Sequence, residues 1–470
     1  MTTITIIGGG ISGLATAVAI QQQTEAEGLE IRLRVLEKET RLGGKIWSIQ
    51  EEGYLCEWGP NGFLDNKPMT LELCRKLGIE NNLLRSDDNA RKRFIYSGAE
   101  LHRLPENGPA FLKSRLISWP GKLRLAMEPL IPAYRGDKDE TLADFGRRRL
   151  GSEALDKLIA PMVSGIFAGD PETMSLKSCF PRIHQLETEY GGLVKAMVKL
   201  AKQKKAERKA GKAVASAAGP GGVLTSFQDG IQELTDGIAF ALNCEIHTST
   251  EVSTISKSTA GFNIELADGS SMESDLVVSA APAFAATEFV AQLDHGLAEL
   301  LRSIPYAAMN VICYGYQRDK IKRPLDGFGY LIPKKEGCHT LGTLWDSSIF
   351  PNRAPEGHVL LRSMLGGATR PEAINLSEAD ITAQVTADLQ KIMGIAATPD
   401  FVRVFRHTQA IPQYTVGHER KLTALNEALG NHPGLYLTGN AFGGIGLNDC
   451  INSANQVAAT VVAELQRRFK

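Results

Sequence analysis

The spacing of apolar positions changes several times along the chain, and each change predicts a different element. Ile4 to Ile7 is a short apolar strand, Gly8 to Gly13 a glycine turn, and Leu14 to Gln23 carries helical spacing with Ala15, Val18 and Ala19 small enough to pack on a sheet. Ile31 to Glu37 alternates apolar residues with arginine and reads as a second strand, so the chain opens with a βαβ unit. From about residue 86 to 200 the pattern is that of helices and loops, except that Arg91 to Tyr96, bases before an apolar run, reads as the start of a strand. Strands return at Glu245 to Ile255, Phe262 to Leu266 and Asp275 to Ala280, around the hairpin signal Asp268-Gly269. Segment 305–365 is rich in β-formers, and 376–393 predicts an amphipathic helix. The end repeats the opening: Leu435 to Leu437 a strand, Gly439 to Gly446 a glycine loop, Leu447 to Arg467 a long helix. These patterns predict one discontinuous nucleotide-binding domain, of α/β class, with two insertions.

Composition narrows the function. At about 150 residues per domain, 470 residues suggest two or three domains. Lys plus Arg is 52 and Asp plus Glu 53, a balance that gives no support to a nucleic-acid binder. The seven cysteines are scattered and never form a C-x-x-C pair, the usage of reduced thiols in a reducing compartment. No basic leader precedes the first strand, and no run of roughly 18 apolar residues exists, so the expectation is a cytoplasmic protein whose membrane contact, if any, is peripheral. The nine histidines are spread and none sits at metal-ligand spacing, so no metal is expected. Segment 201–222, Lys-rich and then Ala/Gly/Ser-rich, predicts an exposed helix end running into a flexible loop.

The chemistry concentrates in glycine loops. Gly8-Gly9-Gly10-Ile11-Ser12-Gly13 follows a strand and opens a helix. Gly8 makes the turn, Gly10 admits a pyrophosphate, Gly13 lets helix and strand approach, and the helix N-terminus faces the phosphates. Glu37 closes the second strand 24 residues beyond Gly13, where a carboxylate accepts from ribose hydroxyls. Arg41-Leu42-Gly43-Gly44 follows at once.

With the opening glycines, Glu37 to Gly44 resembles the dinucleotide signature of FAD-dependent amine-oxidase-type flavoproteins. Gly59-Pro60-Asn61-Gly62-Phe63-Leu64, Arg93-Phe94-Ile95-Tyr96, Gly165 to Asp170, Gly327-Phe328-Gly329, Leu341 to Leu344, and Gly439-Asn440 through Asp449 narrow the resemblance, over nearly the whole chain, to the protoporphyrinogen oxidase family. The resemblance implies non-covalent FAD and the removal of six electrons from a porphyrinogen, with molecular oxygen as acceptor. It implies a discontinuous Rossmann-like FAD-binding domain (1–85, 225–285 and 405–470), a mostly helical, membrane-associated insertion (86–224) and a β-rich substrate domain (286–404). A homodimer is a family expectation, as is contact with the inner face of the cytoplasmic membrane.

By position, the resemblance gives FAD contacts to the Gly8–Gly13 turn, Glu37, Lys38, Arg41, Gly43, Gly44, Lys45, Gly59, Pro60, Asn61, Gly62, Val252, Asn440, Ile445, Gly446 and Leu447. It gives substrate contacts to Leu331, Leu344 and Met364 as the sandwich around a flat ring, to Gly165 and Gly169 as cavity lining, and to Arg93 as the anchor for a propionate. Met364 departs from the aromatic residue of plant relatives, although a thioether still packs on a π face. The leucines read equally as ordinary core. A helix starting at Leu447 directs about half a positive charge at its N-terminal neighbour, where it would stabilise a reduced flavin. No dedicated general base is expected, because flavin chemistry needs placement above all. Segment 109–135 sets Phe111, Leu112, Leu116, Ile117, Trp119, Leu123 and Leu125 beside Lys113, Arg115, Lys122 and Arg124. That reads either as a bilayer-interface surface or as a plain amphipathic cover. Protoporphyrinogen and coproporphyrinogen both remain open as substrates. An amine oxidase or carotenoid desaturase on the same scaffold, and a non-catalytic flavin or tetrapyrrole carrier, also remain.

Overall fold

The computed structural model of the chain describes residues 1–209, 222–259 and 261–468. Five parallel strands form the first sheet, in the order Glu245–His247, Ile31–Leu36, Thr2–Ile7, Leu276–Ser279 and Leu435–Leu437. The central strands are apolar because both faces are covered, as a parallel sheet requires. The helix Ile11–Ala26 is buried over almost its whole first half, from Ser12 to Ile20, and packs against the long helix Leu447–Arg468. The opening βαβ unit, the 435–437 strand and the last helix therefore stand as the sequence predicts. An antiparallel meander, Val252–Lys257, Phe262–Leu266 and Ser271–Ser274, turns at Asp268-Gly269.

The second large sheet has seven strands, in the order Phe401–Pro412, Tyr306–Gln317, His358–Gly366, Gly342–Leu344, Gly329–Leu331, Arg93–Ser97 and Glu100–Arg103. All pairings are antiparallel except Gly329–Leu331 with Arg93–Ser97. This sheet reaches outside 286–404. Its two strands at 93–103 lie in the stretch the sequence reads as helices and loops, the first of them where Arg91 to Tyr96 predicts a strand start, and the 401–412 strand crosses the expected boundary at 405. Arg93–Ser97 pairs at long range with Gly329–Leu331, and Glu100–Arg103 folds back on it through Gly98-Ala99.

Between residues 108 and 209 the chain is helical. A fully buried ion cluster ties these helices together. Arg149, 0% exposed, lies 3.0 Å from Glu128 and 2.6 Å from Glu187, and Glu128 also accepts from the backbone N–H groups of Leu193 and Val194. The helix Leu193–Lys209 reaches the edge of the described residues. The flexible loop expected at the end of the Lys-rich segment falls on 210–221, outside the described residues.

Candidate functional site

Two glycine loops meet at the head of the first helix. Gly8 has φ +106, and a Cβ at Gly13 would lie 1.9 Å from the Gly8 carbonyl oxygen, so only glycine lets helix and strand approach here. The 41–44 loop lies directly over this turn. Gly43 donates its N–H to the Gly9 carbonyl at 2.8 Å, and a Cβ on Gly44 would meet the Gly10 Cα at 3.1 Å. Glu37 is buried, with one carboxylate oxygen accepting from Gly9 N–H at 2.7 Å and the other from Glu39 N–H at 2.9 Å. Its backbone carbonyl accepts from Thr250 N–H at 2.8 Å, which brings Val252 to the same edge.

The residues fit a dinucleotide. The Ile11–Ala26 helix starts at Gly10 with no side-chain cap and no acid in its first turn, so its leading N–H groups are free for an anion. The amide nitrogen of Asn61 is buried without a hydrogen-bond partner, a donor awaiting an acceptor. Gly59 and Gly62 stand where a Cβ would lie 2.3 Å from the Lys45 carbonyl oxygen and 2.5 Å from that of Thr225, so the Gly59-Pro60-Asn61-Gly62 loop is drawn against its neighbours. At the other end, the Tyr414 hydroxyl donates to the Asn440 carbonyl and accepts from Gly444 N–H at 3.0 Å. Leu447 shares one apolar cluster with Leu14, Ile46 and Ile451, which seats the start of the last helix beside the first. Ile445 packs between these parts and the helical insertion, and Gly446 adjoins the Asp449 carboxylate.

Three of the residues expected to contact FAD make contacts within the protein. Arg41 donates to the carbonyls of Leu42, Ile46 and Gly44 and stacks over Trp47 at 4.3 Å, so it holds the shape of its own loop. Burial lowers its pKa, against the opposing pull of Glu37, Glu39 and Asp236. Lys45 donates to the carbonyls of Gln409 and Ala410, and burial pushes its ammonium down to about 8. Lys38 points outward, 3.8 Å from Glu39.

The residues expected to meet substrate on strands share one face of the seven-stranded sheet. Ile95, Leu331, Gly342, Met364 and Val311 form one cross-strand row, and Arg93, Gly329, Leu344, Arg362 and Cys313 form the row two residues away. Side chains alternate with a period of two, so both rows project from the same side. Leu331, Leu344 and Met364 are only half-buried there. Arg93 lies 5.3 Å from the Phe328 ring, has no carboxylate partner among the described residues, and has its pKa lowered by the protein packed around it. A Cβ on Gly165 would lie 2.9 Å from Leu331, which sets the Ala160–Phe167 helix close against this wall. Gly169 is buried, and a Cβ there would meet Gln413 at 3.0 Å and Met174 at 3.2 Å.

Sequence reasoning missed the buried charges packed against this face, Arg362, Asp346, Arg353 and Glu57. The one signal is an arginine directly after the apolar run Val359-Leu360-Leu361, on a strand that is buried along most of its length. Among the described residues, no group of three or more His, Cys, Asp or Glu could hold a metal ion.

The geometry is that of a dinucleotide-binding domain beside a second large sheet. The chain belongs to the flavin containing amine oxidoreductase family, whose profile matches residues 11–462, and its cofactor is FAD. Within that family it belongs with the porphyrinogen oxidases. It is 33% identical to the chloroplastic protoporphyrinogen oxidase of Nicotiana tabacum, over 98% of this chain and 86% of that one. It is 30% identical to the coproporphyrinogen III oxidase of Bacillus subtilis (strain 168), over 98% of each. A crystal structure from Exiguobacterium sp. 255-15, provisionally described as a protoporphyrinogen oxidase, superposes with a TM-score of 0.83 at 25% identity, covering 98% of this chain and 99% of the other.

Proposed function

We propose that this chain oxidises protoporphyrinogen IX to protoporphyrin IX, a six-electron reaction of haem biosynthesis, with molecular oxygen as acceptor. FAD, when bound, takes the electrons from the macrocycle two at a time and passes them to oxygen. The protein binds, orients and excludes water. The Gly8–Gly13 turn and Glu37 hold the dinucleotide, while Leu331, Leu344 and Met364 offer an apolar face to the ring. The observation that carries the proposal is Arg93, a cation without a carboxylate partner beside that apolar face. A flat apolar acid needs this combination, and a guanidinium fork fits a propionate bidentately.

Coproporphyrinogen III is the second reading, because the Bacillus relative of that activity matches this chain end to end. Protoporphyrinogen carries two propionates and coproporphyrinogen four, and one unpaired arginine on the wall favours the former. Initial rates with both substrates decide it: a higher kcat/KM for protoporphyrinogen is expected, and a clear preference for coproporphyrinogen would reverse the assignment.

The division into an FAD-binding part and a substrate-binding part follows the two large sheets. A cytoplasmic protein lying on the inner face of the membrane is part of the same proposal. It rests on exposed Leu112, Trp119, Leu123, Met127 and Leu130, and on exposed Val194, Met197 and Val198 of the helix Leu193–Lys209, which packs on the turn Glu128–Leu130. Among the described residues, no helix is long and apolar enough to cross a membrane. Oxygen as acceptor and a homodimer come from the resemblance alone, and oxygen uptake and sedimentation check them.

A further inference from the structure

Arg362 occupies the row of Arg93 and Leu344 but behaves differently. It is 3% exposed, and from the same face of the sheet its guanidinium donates to the carbonyls of Glu57 at 3.2 Å and Gly59 at 3.0 Å. Its Nε lies 2.9 Å from the carboxylate of Asp346, which is 2% exposed. A second buried pair holds the same place from the other side. Arg353 lies 3.3 Å from the Glu57 carboxylate, which also accepts from Ser48 Oγ at 2.6 Å and Ile231 N–H at 3.1 Å. Between these fixed points runs the Glu57–Gly62 loop, with the unpartnered amide nitrogen of Asn61. Two buried ion pairs are a costly way to pack a core, since apolar residues of similar volume serve stability as well or better. What a guanidinium adds is direction. Its planar head reaches two carbonyls through Nη1 while its Nε lies against a carboxylate, an arrangement a lysine's point charge cannot reproduce.

We propose that Arg362, oriented by Asp346, is a positioning residue that fixes the Glu57–Gly62 loop so that the Asn61 amide donates to an acceptor on the flavin ring. The same strand carries Met364 and pairs with Leu344. One side chain thereby ties the cofactor loop to the substrate wall. A donor held against the ring stabilises the negative charge that collects there on reduction. Loosening the loop weakens that stabilisation without removing any atom that touches the cofactor.

The proposal rests on the FAD assignment and not on the porphyrinogen, so its test uses flavin and no substrate. The midpoint potential and visible flavin spectrum are measured for holoprotein carrying Asn61→Ala, Arg362→Lys, or Arg362→Met together with Asp346→Leu. The paired change removes both charges, so no buried carboxylate is stranded. Asn61→Ala is expected to weaken binding of reduced relative to oxidised flavin three- to tenfold, read as a potential about 15–30 mV more negative. Both Arg362 variants are expected to shift the potential the same way and perturb the flavin bands, and to add nothing in the Asn61→Ala background. An unchanged potential in Asn61→Ala, a wild-type Arg362→Lys, or Arg362 shifts that persist undiminished with Asn61→Ala would each overturn it. So would loss of FAD from Arg362→Lys but not from Asn61→Ala. Wild-type protein that cannot be reconstituted with FAD at all would instead overturn the cofactor assignment beneath it.

Discussion

At the scale of single residues, the site separates groups proposed to touch ligand from groups that shape loops. Arg93 is proposed to be of the first kind. It faces the half-buried wall with no carboxylate to neutralise it, whereas Arg91 is paired with Asp88 at 3.5 Å and Lys92 with Asp326 at 3.1 Å. Arg93→Ala should therefore raise KM for porphyrinogen ten- to hundredfold, about 1.5–3 kcal/mol for a charge-assisted bond. The change in kcat should be smaller, because the anchor holds ground and transition states alike. Steady-state kinetics of Arg93→Ala beside Arg91→Ala check this, and the reverse ranking would place the anchor elsewhere. Glu37 is held by two backbone N–H donors at the end of its strand. Glu37→Ala should weaken FAD by about 1–3 kcal/mol, measured by flavin titration of the apoprotein. Unchanged affinity would leave Glu37 only the role of fastening Gly9.

At the scale of elements, legibility followed the range of the interactions. The strand–glycine–helix opening, the Asp268-Gly269 hairpin and the last helix were legible because each is written in a short run: an apolar period, a turn pair, a glycine where no Cβ fits. The start of Arg93–Ser97 was legible in Arg91 to Tyr96, but its place in the large sheet was not, because its partner Gly329–Leu331 lies more than two hundred residues away, and its local hairpin partner Glu100–Arg103 went unread. Arg41 and Lys45 were legible as part of the cofactor loop, but their backbone acceptors could not be read from spacing. The segment 109–135 divides in the same way. Leu116 and Ile117 are core, Lys122 is buried and donates to the carbonyls of Leu112 and Ser114, and Arg124 donates to those of Arg148 and Arg149. Trp119, by contrast, is 72% exposed at the start of the helix Trp119–Ala126. An exposed apolar patch of this kind marks a contact surface. Trp119→Glu should reduce co-sedimentation with anionic vesicles while leaving flavin content intact. If the unaltered protein does not sediment with vesicles, the membrane reading falls.

At the scale of the whole molecule, two sheets are joined by buried polar groups, and this makes stability depend on pH. His407 lies against Trp58, with ring centroids 4.4 Å apart, and His418 stacks on Tyr414 at 4.2 Å. Burial lowers both to about 4. An unfolded histidine takes its proton near 6.5, so between these values the unfolded chain binds more protons than the folded one. Their contribution is complete above about pH 6.5, falls as pH drops through the window, and levels off below about 4. His418→Gln should flatten the loss of stability between pH 7 and 5 by about 2 kcal/mol, read from urea unfolding at the two pH values. An unaltered slope would mean that His418 is protonated in the fold. The two sheets also define the central claim, that one binds FAD and the other presents a porphyrinogen to it. Anaerobic mixing of the FAD-loaded protein with protoporphyrinogen tests this most directly, with the oxidised-flavin absorbance as the signal and alkyl and aryl amines as controls. Bleaching by the porphyrinogen and none by the amines is the predicted result. Bleaching by an amine with no response to either porphyrinogen would contradict it.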